Sequence, residues 1–204
     1  MGLLSFAFPR MTLFDMSWFN ELLKLTNNRP KMIHLINNYN SDDRRAVCVL
    51  AVVETAAEAT LAEHQAEAYE VSILLTDDSQ MRSLSRQYRL IDQTTDVLAF
   101  PMLSKEEGNL QFSSSKAVPP LILGDIAISI PTARNQALTQ SHSLKMELVI
   151  LTVHGILHLL GYDHLEDQVA EFMFQKQNQI VQKISAQFNL LFTTSDPVLD
   201  PGWQ

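Results

Sequence analysis

Three of the six histidines in the 204-residue chain fall within one short stretch, V-H-G-I-L-H-L-L-G-Y-D-H, at residues 153–164. His154 and His158 are four residues apart, so on a helix their imidazoles lie on the same face, one turn apart. Gly161 is expected to end that helix and turn the chain, which brings His164 back as a third ligand. Three neutral nitrogen ligands are typical of a catalytic zinc site, because they leave a fourth position open. The spacing therefore predicts one catalytic metal ion per chain, zinc or another divalent metal.

The same stretch is similar to the long zinc motif of the metzincin proteases, H-E-x-x-H-x-x-G-x-x-H, except at one position. Gly155 stands where those proteases have the glutamate that serves as general base. The missing carboxylate argues against a peptidase. Water would then be activated by the metal itself or by a side chain elsewhere in the sequence.

The segments around the histidines predict an α+β, mixed α/β fold. Apolar runs rich in β-branched residues predict four strands, at residues 32–38, 71–76, 95–100 and 122–130. Composition and periodicity predict helices at residues 42–68, after the capping cluster Asp77-Asp78-Ser79, and at 132–140, 144–160 and 169–188. We expect a small, mostly four-stranded mixed sheet packed with about five to six helices, one of them a zincin-like metal helix.

Composition and charge limit the class of protein. Hydrophobic residues make up 46% and charged residues 19%, which is typical of a globular domain, and a net charge of −8 argues against a general nucleic-acid binder. The single cysteine, Cys48, excludes an intrachain disulfide and fits a reducing cytoplasm. No membrane span or secretory signal is expected. We predict an N-terminal extension at 1–30, one domain at 31–190 and a C-terminal tail at 191–204.

Four motifs together resemble one known family. HGILHLLGYDH is very close to the signature H-G-x-L-H-L-x-G-Y-D-H of the YbeY family, bacterial metal-dependent endoribonucleases that mature ribosomal RNA. MRSLSRQYRLID (81–92), TDVLAFP (95–101) and LGDIAIS (123–129) are similar to three further segments of that family, in the same order. The resemblance extends over about residues 32–185.

The resemblance implies a zinc-dependent endoribonuclease specific for single-stranded RNA. Such an enzyme would act in the cytoplasm, in maturation of the 16S 3′ end and in ribosome biogenesis and quality control. Its partners would be rRNA, the small ribosomal subunit and assembly factors. The resemblance also implies that His154, His158 and His164 bind the zinc and that Arg89 is catalytic. An arginine at such a site can hold a phosphate in a bidentate manner and stabilise charge that develops on it.

Other interpretations of these residues stay open. Arg82 and Arg86 lie on the predicted helix of Arg89 and are candidate contacts for RNA phosphates, although such a stripe is most often a solvated face. Without the resemblance, Arg89 would be assigned to the surface or to an ion pair with Asp92 or Asp96. A second functional hypothesis makes the metal mainly structural and the protein a ribosome-assembly factor that binds rRNA and ribosomal proteins.

Overall fold

A computed structural model describes four segments of the chain, residues 32–39, 44–103, 121–162 and 167–188. The predicted N-terminal extension and C-terminal tail lie outside these segments. None of the helices within them is long and apolar enough to cross a membrane.

One mixed sheet, with strands in the order β1-β2-β4-β3, forms the centre of the fold. The strands are β1 (Ile33–Asn37), β2 (Tyr69–Thr76), β3 (Val97–Pro101) and β4 (Leu121–Ser129). β1 and β4 run parallel to β2, whereas β3 runs antiparallel to β4 and forms an edge. The two central strands are the most apolar because neighbouring strands and helices cover them. The predicted four-stranded mixed sheet is confirmed.

The described segments contain five helices, which pack on the sheet or on one another. They are α1 (Arg44–Glu63), α2 (Asp78–Arg89), α3 (Ile130–Thr139), α4 (Leu144–Leu159) and α5 (Asp167–Phe188). The Asp77 side chain caps α2 as predicted, since its carboxylate accepts from the backbone N–H of Gln80 at 2.8 Å. The α+β fold expected from the sequence is therefore the fold of the described chain.

The helix that carries His154 and His158, α4, is the central helix of the core. Twelve of its sixteen residues are buried, because α1, α5 and the sheet surround it. Gly155 faces Ile126 of β4, and a Cβ atom at Gly155 would lie only 3.0 Å from two atoms of that side chain. Helix and sheet can approach this closely because residue 155 has no side chain.

Polar contacts fix the first turn of α4. The Ser143 hydroxyl caps the helix by accepting from the backbone N–H of Met146 at 3.2 Å. Glu147, one turn into the helix, is buried and lies 3.0 Å from Nε2 of His142. Burial raises the pKa of the Glu147 carboxyl, and the nearby His142 acts in the opposite direction.

The last turn of α4 ends in a Schellman motif. Gly161 has a φ of +91°, its N–H donates to the His158 carbonyl at 3.0 Å, and the Tyr162 N–H donates to the Leu157 carbonyl at 3.0 Å. Glycine suits this left-handed position because it has no Cβ atom to clash. The predicted role of Gly161 in ending the helix is confirmed.

A second glycine, Gly124, allows the edge of the sheet to approach the end of α4. Gly124 has a φ of +152°, and a Cβ atom there would collide with the backbone oxygen of Phe100 on β3. The same Cβ would lie 2.9 Å from Cδ2 of Leu159, which is next to His158. β3, β4 and the C-terminal end of α4 thus meet at one glycine.

We predict that Gly124→Ala lowers the free energy of unfolding by about 2–4 kcal/mol, since it adds both backbone strain and a steric clash. Gly161→Ala is the matched control, because that position also has a positive φ but has no atom within 4 Å of the added carbon. Strain alone should cost this control about 1 kcal/mol. Urea unfolding monitored by circular dichroism measures both, and equal losses would contradict the proposed close approach.

Candidate metal centre

The imidazoles of His154 and His158 lie side by side on one face of α4, as the spacing of four predicted. Their ring centroids are 4.6 Å apart, and their Nε2 atoms are 3.0 Å apart. Both side chains are half-buried. The two Nε2 atoms therefore point toward one shared position at the end of the helix.

The outer nitrogen of each ring faces an oxygen. Nδ1 of His158 lies 3.1 Å from the backbone oxygen of Tyr162, and Nδ1 of His154 lies 2.9 Å from Oε1 of the buried Gln177 on α5. Oxygens of this kind accept hydrogen bonds, so both contacts match the tautomer in which Nδ1 carries the proton. In that tautomer each neutral imidazole presents the lone pair of its Nε2 atom to the shared position.

This donor geometry fits a transition-metal ion. In that tautomer two lone pairs face each other at 3.0 Å, an arrangement that a cation between them would stabilise. Nitrogen ligands bound to one tetrahedral zinc ion at about 2.0–2.1 Å are themselves about 3.3–3.4 Å apart, so the two rings would need to separate by only a few tenths of an ångström. Contacts from Nδ1 to an amide and to a carbonyl oxygen are also the usual support of metal-bound histidines.

The third predicted ligand, His164, lies outside the described residues. Within the described segments, no group of three or more histidine, cysteine, aspartate or glutamate side chains could hold a metal ion. His154 and His158 are thus brought together as predicted. The assignment of His164 as the third ligand stays a prediction.

Sequence reasoning did not identify Gln177 as a site residue. Gln177 is buried on the apolar face of α5, in line with Met173, Ile180 and Ile184. A polar residue within such an apolar stripe needs a buried hydrogen-bond partner, and that pattern could have indicated a role. The partner is Nδ1 of His154.

Aromatic contacts hold Tyr162 in place. Its ring stacks on Phe172 of α5, with centroids 6.0 Å apart, and meets the His64 ring edge-on at 5.6 Å. Burial raises the pKa of the Tyr162 hydroxyl. Because the ring is fixed from two sides, the backbone oxygen that orients His158 is fixed as well.

The three predicted arginines lie on α2 and are exposed, but their surroundings differ. Arg82 forms a bidentate pair with Asp92, with Nε to Oδ1 at 2.8 Å and Nη2 to Oδ2 at 2.9 Å. This pair lowers the pKa of Asp92 and raises that of Arg82. Asp92 is therefore engaged by Arg82 rather than by Arg89. Asp96, the other carboxylate considered for Arg89, accepts from Gln136 at 2.8 Å.

A series of side-chain and backbone contacts links α2 to the histidine pair. Tyr88, next to Arg89, packs edge-to-face on Phe100 of β3, with ring centroids 5.1 Å apart. The backbone of Phe100 and the side chain of Leu159 both adjoin Gly124, and Leu159 follows His158 in α4. The end of α2 and the end of α4 are thus joined through the edge strand.

Comparisons with known proteins agree with this architecture. A family model described as Endoribonuclease YbeY matches residues 35–185. The Endoribonuclease YbeY of Geobacillus sp. (strain WCH70) is 45% identical over 121 residues, covering 59% of this chain and 76% of the relative. That of Desulforamulus reducens is 37% identical over 157 residues, covering 75% of this chain and 97% of the relative.

A solved structure shares the fold. The solution structure of a protein from Thermotoga maritima superposes with a TM-score of 0.56 at 24% identity, covering 85% of this chain and 100% of that one. The family match extends over most of the chain and includes the histidine pair, Gly161 and α2. The chain belongs to the endoribonuclease YbeY family.

Proposed function

We propose that the protein is a metal-dependent endoribonuclease that cleaves single-stranded RNA during the maturation of ribosomal RNA. The observation that carries the proposal is the pair of Nε2 atoms 3.0 Å apart, each on a ring whose Nδ1 faces an oxygen. Membership in a family of endoribonucleases supports RNA as the substrate. The small ribosomal subunit and its assembly factors, in the cytoplasm, are the partners that follow from an rRNA substrate.

His154, His158 and His164 would hold one zinc ion. When bound, zinc supplies Lewis-acid chemistry, which polarises a phosphate oxygen and makes water easier to deprotonate. Gln177 and the Tyr162 backbone oxygen, as acceptors, would keep the two imidazoles in the tautomer that can bind a metal. Residue 155, at the position of the metzincin glutamate, is a glycine and supplies no carboxylate. It also faces Ile126 of β4, where a larger side chain would collide.

Arg89 would hold the scissile phosphate and stabilise negative charge that develops on its oxygens. Its position in the exposed last turn of α2 supports this role, as does the engagement of Asp92 and Asp96 by other side chains. A guanidinium that is not committed to a carboxylate can bind a phosphate without first breaking an ion pair. The contacts through Phe100 and Gly124 tie this turn to the metal helix.

We predict that His158→Ala abolishes binding of one zinc ion per chain and reduces cleavage of single-stranded rRNA fragments by at least about 100-fold. His34→Ala is the control, because His34 is an exposed residue on β1 that pairs with Glu70 at 2.9 Å. Elemental analysis and gel-based cleavage on the same sample measure both effects. Undiminished cleavage by a chelated preparation that circular dichroism shows to be folded would refute the metal-dependent mechanism.

A second prediction concerns Gln177→Leu, which should raise the dissociation constant for zinc by about 10- to 100-fold because the Nδ1 proton of His154 loses its acceptor. Leucine suits the apolar neighbours Met173 and Ile180, so the fold should persist. Gln175→Leu is the matched control on the exposed face of the same helix, where Gln175 donates a hydrogen bond to Glu171 at 3.1 Å. Competition with a chromophoric chelator measures the constants, and equal affinities for the two variants would argue against an orienting role of Gln177.

Arg89→Ala should lower kcat/KM for RNA cleavage by about 100- to 1,000-fold with unchanged zinc content, since it removes one group that stabilises the transition state. Lys183→Ala is the charge-matched control, because Lys183 lies on α5 in an ion pair with Glu63. Single-turnover cleavage measures the effect. Normal rRNA maturation by a folded, zinc-loaded Arg89→Ala protein would instead favour the assembly-factor hypothesis, in which the metal is structural.

A further inference from the structure

The end of α2 carries three apolar side chains that the fold leaves in solvent. Tyr88 is 60% exposed, Leu90 is 89% exposed and Ile91 is 44% exposed. We call these three residues the Tyr88 patch. Single exposed apolar residues are ordinary, whereas a run that includes an aromatic ring beside a functional arginine indicates a binding surface.

Leu90 is placed there against its backbone preference. It is the C-cap of α2 with a φ of +60°, and its N–H closes the helix on the Ser85 carbonyl. Glycine is the usual residue in this left-handed conformation, because a Cβ atom adds about 1 kcal/mol of strain. The leucine side chain does not offset this strain by burial. The stability of the fold therefore does not explain a leucine at this position. Residues held in an unfavourable backbone conformation are concentrated at functional sites.

The charges beside the Tyr88 patch are positive. Arg86 and Arg89 lie in the last turn of α2, on either side of Tyr88 in the sequence, and both are exposed. An aromatic ring flanked by guanidinium groups is the composition of surfaces that bind single-stranded RNA, where rings stack on bases and cations contact phosphates. A second copy of this chain would bring the same arginines to a symmetric contact, and their like charges disfavour it.

We infer that the Tyr88 patch receives an unpaired base of the RNA substrate, while Arg86 and Arg89 contact the adjoining phosphates. The inference rests on the proposed function for the identity of the substrate. The edge-to-face contact of Tyr88 with Phe100 positions the ring on the edge strand, which adjoins Leu159 at the end of the metal helix. Bases within a duplex are stacked and paired, so this surface selects RNA with an unpaired base.

The test is equilibrium binding of a labelled single-stranded oligouridine by full-length protein carrying His158→Ala, so that the RNA stays intact. Tyr88→Ala should weaken binding by about 5- to 100-fold, the range for loss of one aromatic–base stack, and Tyr88→Phe should restore affinity to within about twofold. Inorganic polyphosphate, which has no bases, should bind equally well to the His158→Ala parent and to its Tyr88→Ala and Tyr88→Phe derivatives. Leu138→Ala, at an exposed apolar residue of α3, is the control.

Leu90→Gly separates binding from folding. Glycine relieves the strain, so the melting temperature should stay equal or rise, while affinity for the oligouridine falls by about three- to tenfold. Arg86→Ala should reduce the slope of log affinity against log salt by about 0.7, whereas Leu90→Gly should leave that slope unchanged. A lower melting temperature for Leu90→Gly would mean that the leucine serves the fold and would overturn the inference.

The remaining outcomes are also decisive. Unchanged RNA affinity in Tyr88→Ala and Leu90→Gly would overturn the inference alone, because RNA binding itself would remain. Absence of RNA binding in every protein would overturn the proposed function together with the inference. If sedimentation of the parent protein shows a dimer that Leu90→Gly abolishes, then the patch is a protein interface and not a base site. The same conclusion follows if Tyr88→Ala and Leu90→Gly weaken the binding of a protein partner but not of the oligouridine.

Discussion

The Nε2 atoms of His154 and His158 lie 3.0 Å apart, and three helices and a turn contribute to that approach. Contacts to the outer nitrogen of each ring hold the rings in this position. Gln177 does so from α5 and the Tyr162 backbone oxygen does so from the turn after α4. Burial of twelve of the sixteen residues of α4 also holds in place the helix that carries both rings.

The sequence was most informative where the geometry is local. A spacing of four residues predicted the shared face of His154 and His158, and Gly161 predicted the helix end, because both follow from the repeat and capping of a single helix. Gln177 was not predicted. It lies 23 residues from His154, and only the packing of α5 on α4 brings the two together. The periodicity of α5 predicts that Gln177 is buried, but it does not predict which residue Gln177 contacts.

The arginines illustrate the same limit. The stripe on α2 follows from helical spacing and was predicted, but the choice of partner was not. The sequence allowed an ion pair between Arg89 and Asp92. In the structure, the turn after α2 places Asp92 next to Arg82, with which it forms a bidentate pair. That turn depends on the left-handed backbone of Leu90, which no propensity favours for leucine. Because the backbone at Leu90 departs from the usual conformation of leucine, helical spacing alone did not predict which arginine pairs with Asp92.

The hydrogen bond from His154 to Gln177 has a thermodynamic consequence for α5. A metal that binds better when α5 is docked must, by linkage, stabilise the docked helix by the same factor. Depletion of the metal would then first weaken the docking of α5 on α4. Conversely, a partner that binds the outer face of α5 would change the fraction of protein that holds metal, although it would contact none of the metal ligands.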